Sequence, residues 1–365
     1  SGDRVAFHGQ AESGLTDTAA VFTQAGEIAA VGDALSADIT VDDIDPEGKV
    51  AINNFEQVAF HGSVEIEGGV FDELFRVVFI SDGQETREAA REASDLPDGT
   101  PLDDITESGG VAINDFDEVA FHGQTVNLEA GDDSLKAVFT SDGLAAKEGD
   151  TLDDGTILDD INENGGVAIN LFGDVAFHGD AIDPEAGSDS VKAVFTQNGL
   201  VAKEGDTLPD GTILGAIRKN AGVAINLLGQ VAFQGRVFDP VFGIDTVAAV
   251  FTQDGLVVKE GDTLPDGSIL EDLSETGGVA INDFGLVAFH GGIGSTEVVF
   301  TQNGLVAKEG DNLSDGTTTL EEISDTGGVS INAVGEVAFL GKINNFIAVF
   351  VGEAPVAEGD ESSSE

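Results

Sequence analysis

The stretch Asn170-Leu171-Phe172-Gly173-Asp174-Val175-Ala176-Phe177-His178-Gly179 decides the fold, because its second half recurs along the whole chain of 365 residues. The phrase Val-Ala-Phe-His-Gly begins at Val5, Val58, Val119, Val175 and Val287, and two altered copies begin at Val231 and Val337. Successive copies are separated by 53, 61, 56, 56, 56 and 50 residues. A period of this length is typical of repeat arrays and propellers.

Each repeat contains four short strand patterns. In the clearest copy they cover residues 166–170, 175–179, 192–196 and 200–204. Alternating apolar residues favour strands, and the Asn198-Gly199 step between the last two is a strong hairpin signal. Four-stranded units repeated several times indicate a β-propeller.

The number of copies predicts how many blades there are. The second, third and fourth strands occur seven times, whereas the first occurs six times. We therefore predict an all-β, seven-bladed propeller in which one blade is incomplete, or is closed by the termini or by a partner chain. A β-solenoid and a two-domain all-β protein remain alternatives. The repeats define one domain over residues 1–360, followed by a polar tail at 361–365.

Two connecting regions carry further predictions. Leu214 and Ile217 lie three residues apart, as do Leu158 and Ile161, which predicts a single helical turn packed on the sheet. The connection between second and third strands varies in length, from residues 124–135 to residues 292–297. Variable loops on a constant scaffold are where recognition is expected.

The charge of the chain excludes several partners. The sequence has 69 acidic and 15 basic residues, a formal net charge of −54. Such a surface repels nucleic acids and anionic membranes. The acidity fits a salt-rich habitat, neutralisation by divalent cations, or simple solubility of a surface protein. There is no Cys, and no apolar run is long enough for membrane insertion.

Histidine occurs only as the fourth residue of the phrase, at His8, His61, His122, His178 and His290. In a propeller these residues form a ring, which raises the question of a metal site. Second strands of adjacent blades are on the order of 10 Å apart, too far for two imidazoles to share one ion. We therefore predict structural histidines that bond to backbone groups, with Gln234 and Leu340 as replacements in the altered copies.

A second recurrent pattern is Gly-Asp-x-x-x-Asp-Gly. Its carboxylates are Asp150, Asp154, Asp206, Asp210, Asp262, Asp266, Asp311 and Asp315. Carboxylates in turns are suitable calcium ligands, although the spacing differs from an EF-hand loop. Asp before Gly is also common in ordinary turns. Calcium is the one cofactor that the sequence leaves open.

The element Asn-x-x-Gly-x-Val-Ala-Phe, at Asn170–Phe177 and again at Asn282–Phe289, resembles the bacterial NxxGxxAF tandem-repeat proteins. The resemblance implies an exported, secreted or surface-attached protein, and it transfers no catalytic residue. Glu56 and Asp117 replace the expected Gly in two copies, so we expect a different turn geometry there.

No nucleophile elbow, phosphate-binding loop or paired-histidine motif is present, which predicts a protein that is not an enzyme. The predicted function is an extracellular or cell-surface structural, adhesive or binding module. Its partners would be further copies of itself, or a surface glycan or protein. The alternatives are a filament or lattice subunit whose open blade is completed by a neighbouring chain, and a propeller-type carbohydrate-active hydrolase.

Overall fold

The chain is all-β with a seven-bladed β-propeller arrangement, as predicted from the repeat. The structure is a computed structural model that describes residues 5–13, 16–36, 39–45, 49–66, 73–127, 133–182, 189–241, 243–274, 276–314, 316–324, 328–344 and 346–355. Each blade is one antiparallel sheet, numbered 1 to 7 in chain order. Within the described residues, no helix has the length and apolarity that a membrane span requires.

The chain divides into two compact units, Ser1–Val201 and Ala202–Glu365. Sheets 1 to 4 belong to the first unit and sheets 5 to 7 to the second, except that the last strand of sheet 4 crosses the boundary. A single domain over residues 1–360 stays a prediction.

The first unit contains four sheets whose strands follow in chain order. Sheet 1 has the strands Ala6–Ser13, Thr16–Thr23 and Gly26–Ala30. Sheet 2 has Ile39–Ile44, Ala51–Ile52, Val58–Ile66, Glu73–Ser81 and Thr86–Arg91. Sheet 3 has Asp104–Ile105, Val111–Ile113, Val119–Asn127, Asp133–Thr140 and Gly143–Lys147. Sheet 4 has Ile157–Ile161, Val167–Ile169, Val175–Ile182, Ser190–Thr196 and Gly199–Lys203.

The second unit repeats this plan. Sheet 5 has Leu214–Ile217, Val223–Ile225, Val231–Asp239, Ile244–Thr252 and Gly255–Lys259. Sheet 6 has Asp272–Leu273, Val279–Ile281, Val287–Ile293, Thr296–Thr301 and Gly304–Lys308. Sheet 7 has Glu322–Ile323, Val329–Ile331, Glu336–Ile343 and Phe346–Glu353. A small hairpin, Ser94–Asp95 with Pro101–Leu102, precedes sheet 3.

In sheets 2 to 7, the first two strands given above are two pieces of one interrupted strand, here called the inner strand. The earlier piece is the leading piece and the later one is the trailing piece. Both pieces pair with the same second strand. In sheet 3, Ile105 lies opposite Gly123 and Val111 opposite Phe121, so residues 106–110 stand opposite His122 alone. We call this insertion the excursion. The corresponding residues are 162–166 in sheet 4 and 218–222 in sheet 5. The short 3-10 helices Glu107–Gly109 and Glu163–Gly165 lie within the excursions.

The predicted helical turn at Leu214 and Ile217 is wrong, because both residues belong to the leading piece of the sheet 5 inner strand. A β-bulge between Leu214 and Ala216 puts residues three apart on the same buried face. A bulged strand can therefore imitate the spacing of a helical turn. Leu158 and Ile161 are related by the same bulge in sheet 4.

Stacked phenylalanine pairs fill the core of each sheet. Phe121 of the second strand lies opposite Phe139 of the third, with ring centroids 5.5 Å apart. Neighbouring sheets pack through the same strands, since Phe121 and Val119 form one cluster with Val78 of sheet 2. The recurring Val and Phe of the phrase are therefore core residues, as their alternation indicates.

The connection at residues 124–135 is mainly strand and not loop. The second strand of sheet 3 continues to Asn127 and the third begins at Asp133, while residues 128–132 lie outside the described residues. In sheet 6 the same connection is a tight turn between Ile293 and Thr296. Strand length varies from sheet to sheet. The repeat places the seventh copy of the fourth strand at residues 355–360. This prediction is untested, because Pro355 lies outside a strand and residues 356–360 are not described.

Candidate functional site

A large apolar side chain is exposed at the same turn position in sheets 2 to 7. The turn follows the trailing piece of the inner strand, and the exposed residue lies two positions after its Asn. In the first unit the residues are Phe55, Phe116 and Phe172, which are 68%, 74% and 74% exposed. In the second unit they are Leu228, Phe284 and Val334, which are 74%, 82% and 73% exposed. We call these residues the turn series.

Each turn is held by the Asn at its start, which is buried in sheets 2 to 6. Asn114 Oδ1 accepts hydrogen bonds from the backbone N–H groups of Phe116 at 2.9 Å and Glu118 at 3.1 Å. Its Nδ2 donates to the Glu118 carboxylate and, in sheet 4, to the Asn170 carbonyl, both at 3.1 Å. All four hydrogen-bonding positions of the amide are filled. The backbone of Phe116 is thus fixed although its side chain is exposed.

The same amide links neighbouring inner strands within each unit. In the first unit Asn53 donates to the Asn114 carbonyl at 3.1 Å. In the second unit Asn226 donates to the Asn282 carbonyl, and Asn282 donates to the Asn332 carbonyl. We call each such bond an Asn tie. Because the ties repeat, neighbouring members of the turn series within each unit are held side by side.

Two turns have the usual geometry despite lacking glycine. Gly173 has a φ of 82°, and the corresponding Glu56 and Asp117 have φ values of 69° and 65°. The expectation of a different turn geometry at these two residues is therefore wrong. The Asn hydrogen bonds require the left-handed conformation, so the non-glycine residues adopt it at a steric cost.

Polar groups surround the turn series. Asp115 accepts hydrogen bonds from the backbone N–H and the side-chain amide of Asn54, each at 2.8 Å. In the second unit an open pocket of about 370 Å³ includes Phe284, Val334, Gln302 and Asn303 in its lining. Apolar surface and hydrogen-bonding groups are thus presented together, which is the composition of many ligand sites.

The histidine of the Val-Ala-Phe-His-Gly phrase packs against the excursion. His122 is fully buried, and a Cβ added to Gly109 would lie 2.6 Å from its ring, so only Gly leaves the room that the imidazole occupies. His122 Nε2 lies 3.2 Å from the carbonyl of Gly166 in the next sheet. Burial lowers the pKa of His122 to about 4, and the nearby charge of Lys49 lowers it as well. At neutral pH the ring is therefore uncharged.

Two other sheets use this position in a similar way. His290 Nε2 lies 3.1 Å from the Gly328 carbonyl, and Gln234 Nε2 donates to the Gly278 carbonyl at 3.1 Å. His61 and His178 are fully buried, whereas His8 is partly buried. Within the described residues, no three His, Asp or Glu side chains meet in a group that could hold a metal ion.

The repeated aspartates serve two different sets of backbone groups. The first aspartate of each pair accepts a hydrogen bond from the backbone N–H of the Lys three residues earlier. These aspartates are Asp150, Asp206, Asp262 and Asp311. The second accepts from the backbone N–H of a Leu in a fourth strand: Asp154 from Leu200, Asp210 from Leu256 and Asp266 from Leu305, at 2.7–2.8 Å. Asp315 lies outside the described residues. Calcium binding stays a prediction.

Asp98 makes the same contact with Leu144 at 3.0 Å, although the sequence pattern did not include it. Desolvation raises the pKa of Asp98, Asp154, Asp210 and Asp266, but hydrogen bonds from two backbone N–H groups and a hydroxyl outweigh it. The net pKa of each carboxyl lies below its ordinary value. These charged carboxylates therefore fasten the linkers to the sheets that follow.

Three solved structures with a similar arrangement are enzymes. The polysaccharide lyase Uly1 has 9% identity and a TM-score of 0.44, with 97% of this chain and 89% of that chain covered. The Hadza microbial sialidase Hz136 has 11% identity and a TM-score of 0.35, with coverages of 93% and 74%. An α-L-arabinofuranosidase of Fusarium graminearum has 12% identity and a TM-score of 0.34, with coverages of 83% and 91%.

These comparisons contradict the prediction that the chain is not an enzyme, and that prediction is withdrawn. Catalysis does not require a local sequence motif, because an active site can be assembled from residues far apart in the sequence. At such low identities the likeness concerns the fold and assigns no activity to this chain.

No curated protein matches the chain. The resemblance to NxxGxxAF proteins stays a prediction. A family model matches residues 1–154 and 169–305, more than half of the sequence, and the chain therefore belongs to the family of unknown function DUF7453.

Proposed function

We propose that this protein is a binding module that recognises a neutral polysaccharide chain through the turn series, in a secreted or cell-surface setting. The observation that carries the proposal is the repeated exposure of a large apolar side chain on a turn whose backbone is fixed by a buried Asn. Exposed apolar groups in a regular arrangement mark interaction surfaces.

The shape of the turn series favours a polymer with a repeating unit. Phe55, Phe116 and Phe172 occupy equivalent positions in consecutive sheets, and Asn ties join these turns. Regularly repeated units create extended binding surfaces for long ligands. Aromatic rings offer flat apolar faces, on which the apolar face of a sugar ring can stack.

Charge and polar groups narrow the ligand class. The net charge of −54 disfavours an anionic polysaccharide. Asn54 and Asp115 beside Phe116 supply polar groups at the rim of the apolar surface, where sugar hydroxyls can exchange hydrogen bonds with them. A neutral glycan satisfies both conditions.

The proposal is tested with a triple variant, Phe55→Ala with Phe116→Ala and Phe172→Ala. Leu74→Ala is the matched control, since Leu74 is 60% exposed in a third strand outside the turn series. Affinity electrophoresis against soluble β-glucan, xylan and mannan, followed by calorimetry on any polymer that retards the protein, measures binding. We expect at least about a tenfold loss of affinity in the triple variant and none in the control.

Three results would contradict the proposal. The first is the absence of retardation by every neutral polymer. The second is dependence of poly-lysine binding on the three Phe residues, which would indicate a cationic protein partner instead. The third is a dimer by light scattering that dissociates in the triple variant, which would make the surface a self-association interface. The free energy of unfolding of the triple variant should match that of the control, because the removed rings are exposed.

A further inference from the structure

Lys49 occupies a position that glycine holds in the other complete sheets. It lies four residues before Asn53, and the glycines at the same distance before the Asn of the other sheets are Gly110, Gly166, Gly222, Gly278 and Gly328. A cation therefore replaces a glycine at a single repeat, in a protein with 15 basic residues against 69 acidic ones. A residue that breaks an otherwise regular pattern needs a physical reason.

The side chain of Lys49 extends along the excursions of two further sheets. A Cβ added to Gly110 of sheet 3 would lie 3.2 Å from both Cβ and Cδ of Lys49. A Cβ added to Gly166 of sheet 4 would lie 3.6 Å from Lys49 Nζ. The absence of side chains at the two glycines leaves the path that the lysine follows. Its amine ends beside the inner strand of sheet 4.

The ammonium has no counter-ion in the described part of the chain. Arg76 pairs with Asp104, and Lys136 pairs with Asp160, but Lys49 has neither an ion pair nor a hydrogen bond to any described residue. Acidic groups of the two neighbouring excursions already have partners. Glu107 lies 3.8 Å from Arg76, and Glu163 accepts a 2.6 Å hydrogen bond from Thr106.

Lys49 is accessible to solvent, yet protein atoms surround it closely enough to lower its pKa by desolvation. A long side chain that packs along part of its length and is open to water elsewhere has both properties. If Lys49 served only to offset neighbouring carboxylates, they would raise its pKa, as Asp160 raises the pKa of Lys136. The two lysines therefore have different environments. The charge of Lys49 is left available to a ligand.

We propose that Lys49 binds the carboxylate of a small ligand at the surface beside Gly110 and Gly166. A single ammonium matches a singly charged group, whereas a phosphate dianion or a polyanion would meet the repulsion of the strongly acidic chain. This site is separate in sequence and in contacts from the turn series, so it does not depend on the proposed polysaccharide binding.

The test is an NMR titration of the full chain carrying ¹³C at lysine Cε. Sodium glucuronate and sodium acetate are added, with sodium chloride at equal ionic strength as the reference. We expect a saturable shift of the Lys49 signal with the carboxylates and little movement of the Lys136 signal, because Lys136 is already paired. The Lys49→Met variant assigns the signal and keeps the length of the side chain.

Calorimetry with glucuronate provides a second measurement. Lys49→Met should bind at least about tenfold more weakly than the unaltered chain, whereas Lys136→Met and Phe116→Ala should bind as before. An equal response to chloride would mean an adventitious ion only and would overturn the proposal. A Lys49 signal that does not shift in the unaltered chain would overturn it as well, whether or not the variant folds.

Discussion

The two units build the same sheet from different residues at three recurring positions. Both use the buried Asn in the turn, with its tie to the next sheet. The turn series is Phe55, Phe116 and Phe172 in the first unit, and Leu228, Phe284 and Val334 in the second. The left-handed position holds Glu56, Asp117 and Gly173 in the first unit, and Gly229, Gly285 and Gly335 in the second. The second strand carries His61, His122 and His178 in the first, and Gln234, His290 and Leu340 in the second.

This difference distinguishes the residues that hold the sheet together from the residues that are exposed on its surface. The Asn ties occur in both units and tolerate every residue found at the exposed position. The imidazole of His122 and the amide of Gln234 make the same contact with a glycine carbonyl. The first unit keeps aromatic rings on all three turns and accepts strain at two of them. Its exposed surface is therefore more uniform, and its backbone less relaxed, than that of the second unit.

The largest expected effect comes from removing an Asn tie. Asn114→Ala leaves two backbone N–H groups and one carbonyl without their partner, so we expect a loss of about 3 kcal/mol in the free energy of unfolding. Asn282→Ala should cost about 1 kcal/mol less. The residue four positions after Asn282 is Leu286, which offers no carboxylate, whereas Asn114 also donates a hydrogen bond to the Glu118 carboxylate. Urea denaturation measures both. Equal losses would show that the side-chain partner contributes nothing.

A pH series compares the two residues that contact the glycine carbonyl. The folded pKa of His122 is lowered to about 4 from an unfolded value near 6.5. Its stabilising contribution is thus complete above the unfolded pKa and is lost as the pH falls towards 4, because only the unfolded state takes up the proton.

Between about pH 7 and pH 4.5, we expect His122→Gln to lose roughly 2 kcal/mol less stability than the unaltered chain. Gln234→His in the second unit should add a loss of similar size. Thermal unfolding across the pH range measures both changes. Superimposable profiles for all three proteins would contradict the assignment of a neutral, buried imidazole.

Relief of the strained turns should give a smaller effect of opposite sign. Glu56→Gly retains a φ of 69° without the cost of a Cβ, and we expect it to stabilise the protein by about 0.5–1 kcal/mol. Gly229→Ala is the reverse change at a φ of 77°, where an added Cβ would meet nothing within 4 Å. It should destabilise by about 1 kcal/mol. Chemical denaturation that gives the same sign for both variants would rule out strain as the cause.

The smallest effect on stability is expected at the exposed side chain itself. Phe116→Leu and Leu228→Phe exchange the turn residues of the two units, and each should change the free energy of unfolding by less than about 0.5 kcal/mol. Binding is the sensitive measurement here. Phe116→Leu should weaken polysaccharide binding, whereas Leu228→Phe should strengthen it. Unchanged affinities of both variants would show that binding does not depend on the turn series.

The repeat predicted the sheets well because second and third strands pair residue for residue. Phe177 lies opposite Phe195, as the recurrence of both residues indicates. The leading piece of the inner strand was not predicted, since the bulge at Leu214 gives it the spacing of a helical turn. Variable segments such as 124–135 were assigned to loops because strand extension leaves no fixed pattern.

The candidate site was harder to predict than the sheets. Phe172 is part of the Asn-x-x-Gly motif, but nothing local distinguishes an exposed Phe from the buried Phe177 five residues later. Exposure follows from the turn that Asn170 fixes. The sequence did not predict a binding role for Lys49 either, because this role depends on its position beside Gly110 and Gly166, which are distant in sequence.

The Asn ties also bear on how such a chain changes over generations. Each tie joins an amide of one repeat to a main-chain carbonyl of the next, and neither group is specific to its neighbour. Recombination between two copies of the repeat in a gene removes or adds a whole unit and rejoins the same pair of atoms. Such events preserve the scaffold and alter only the order of the displayed side chains. Recognition can therefore diversify by shuffling repeats, without new point mutations in the core.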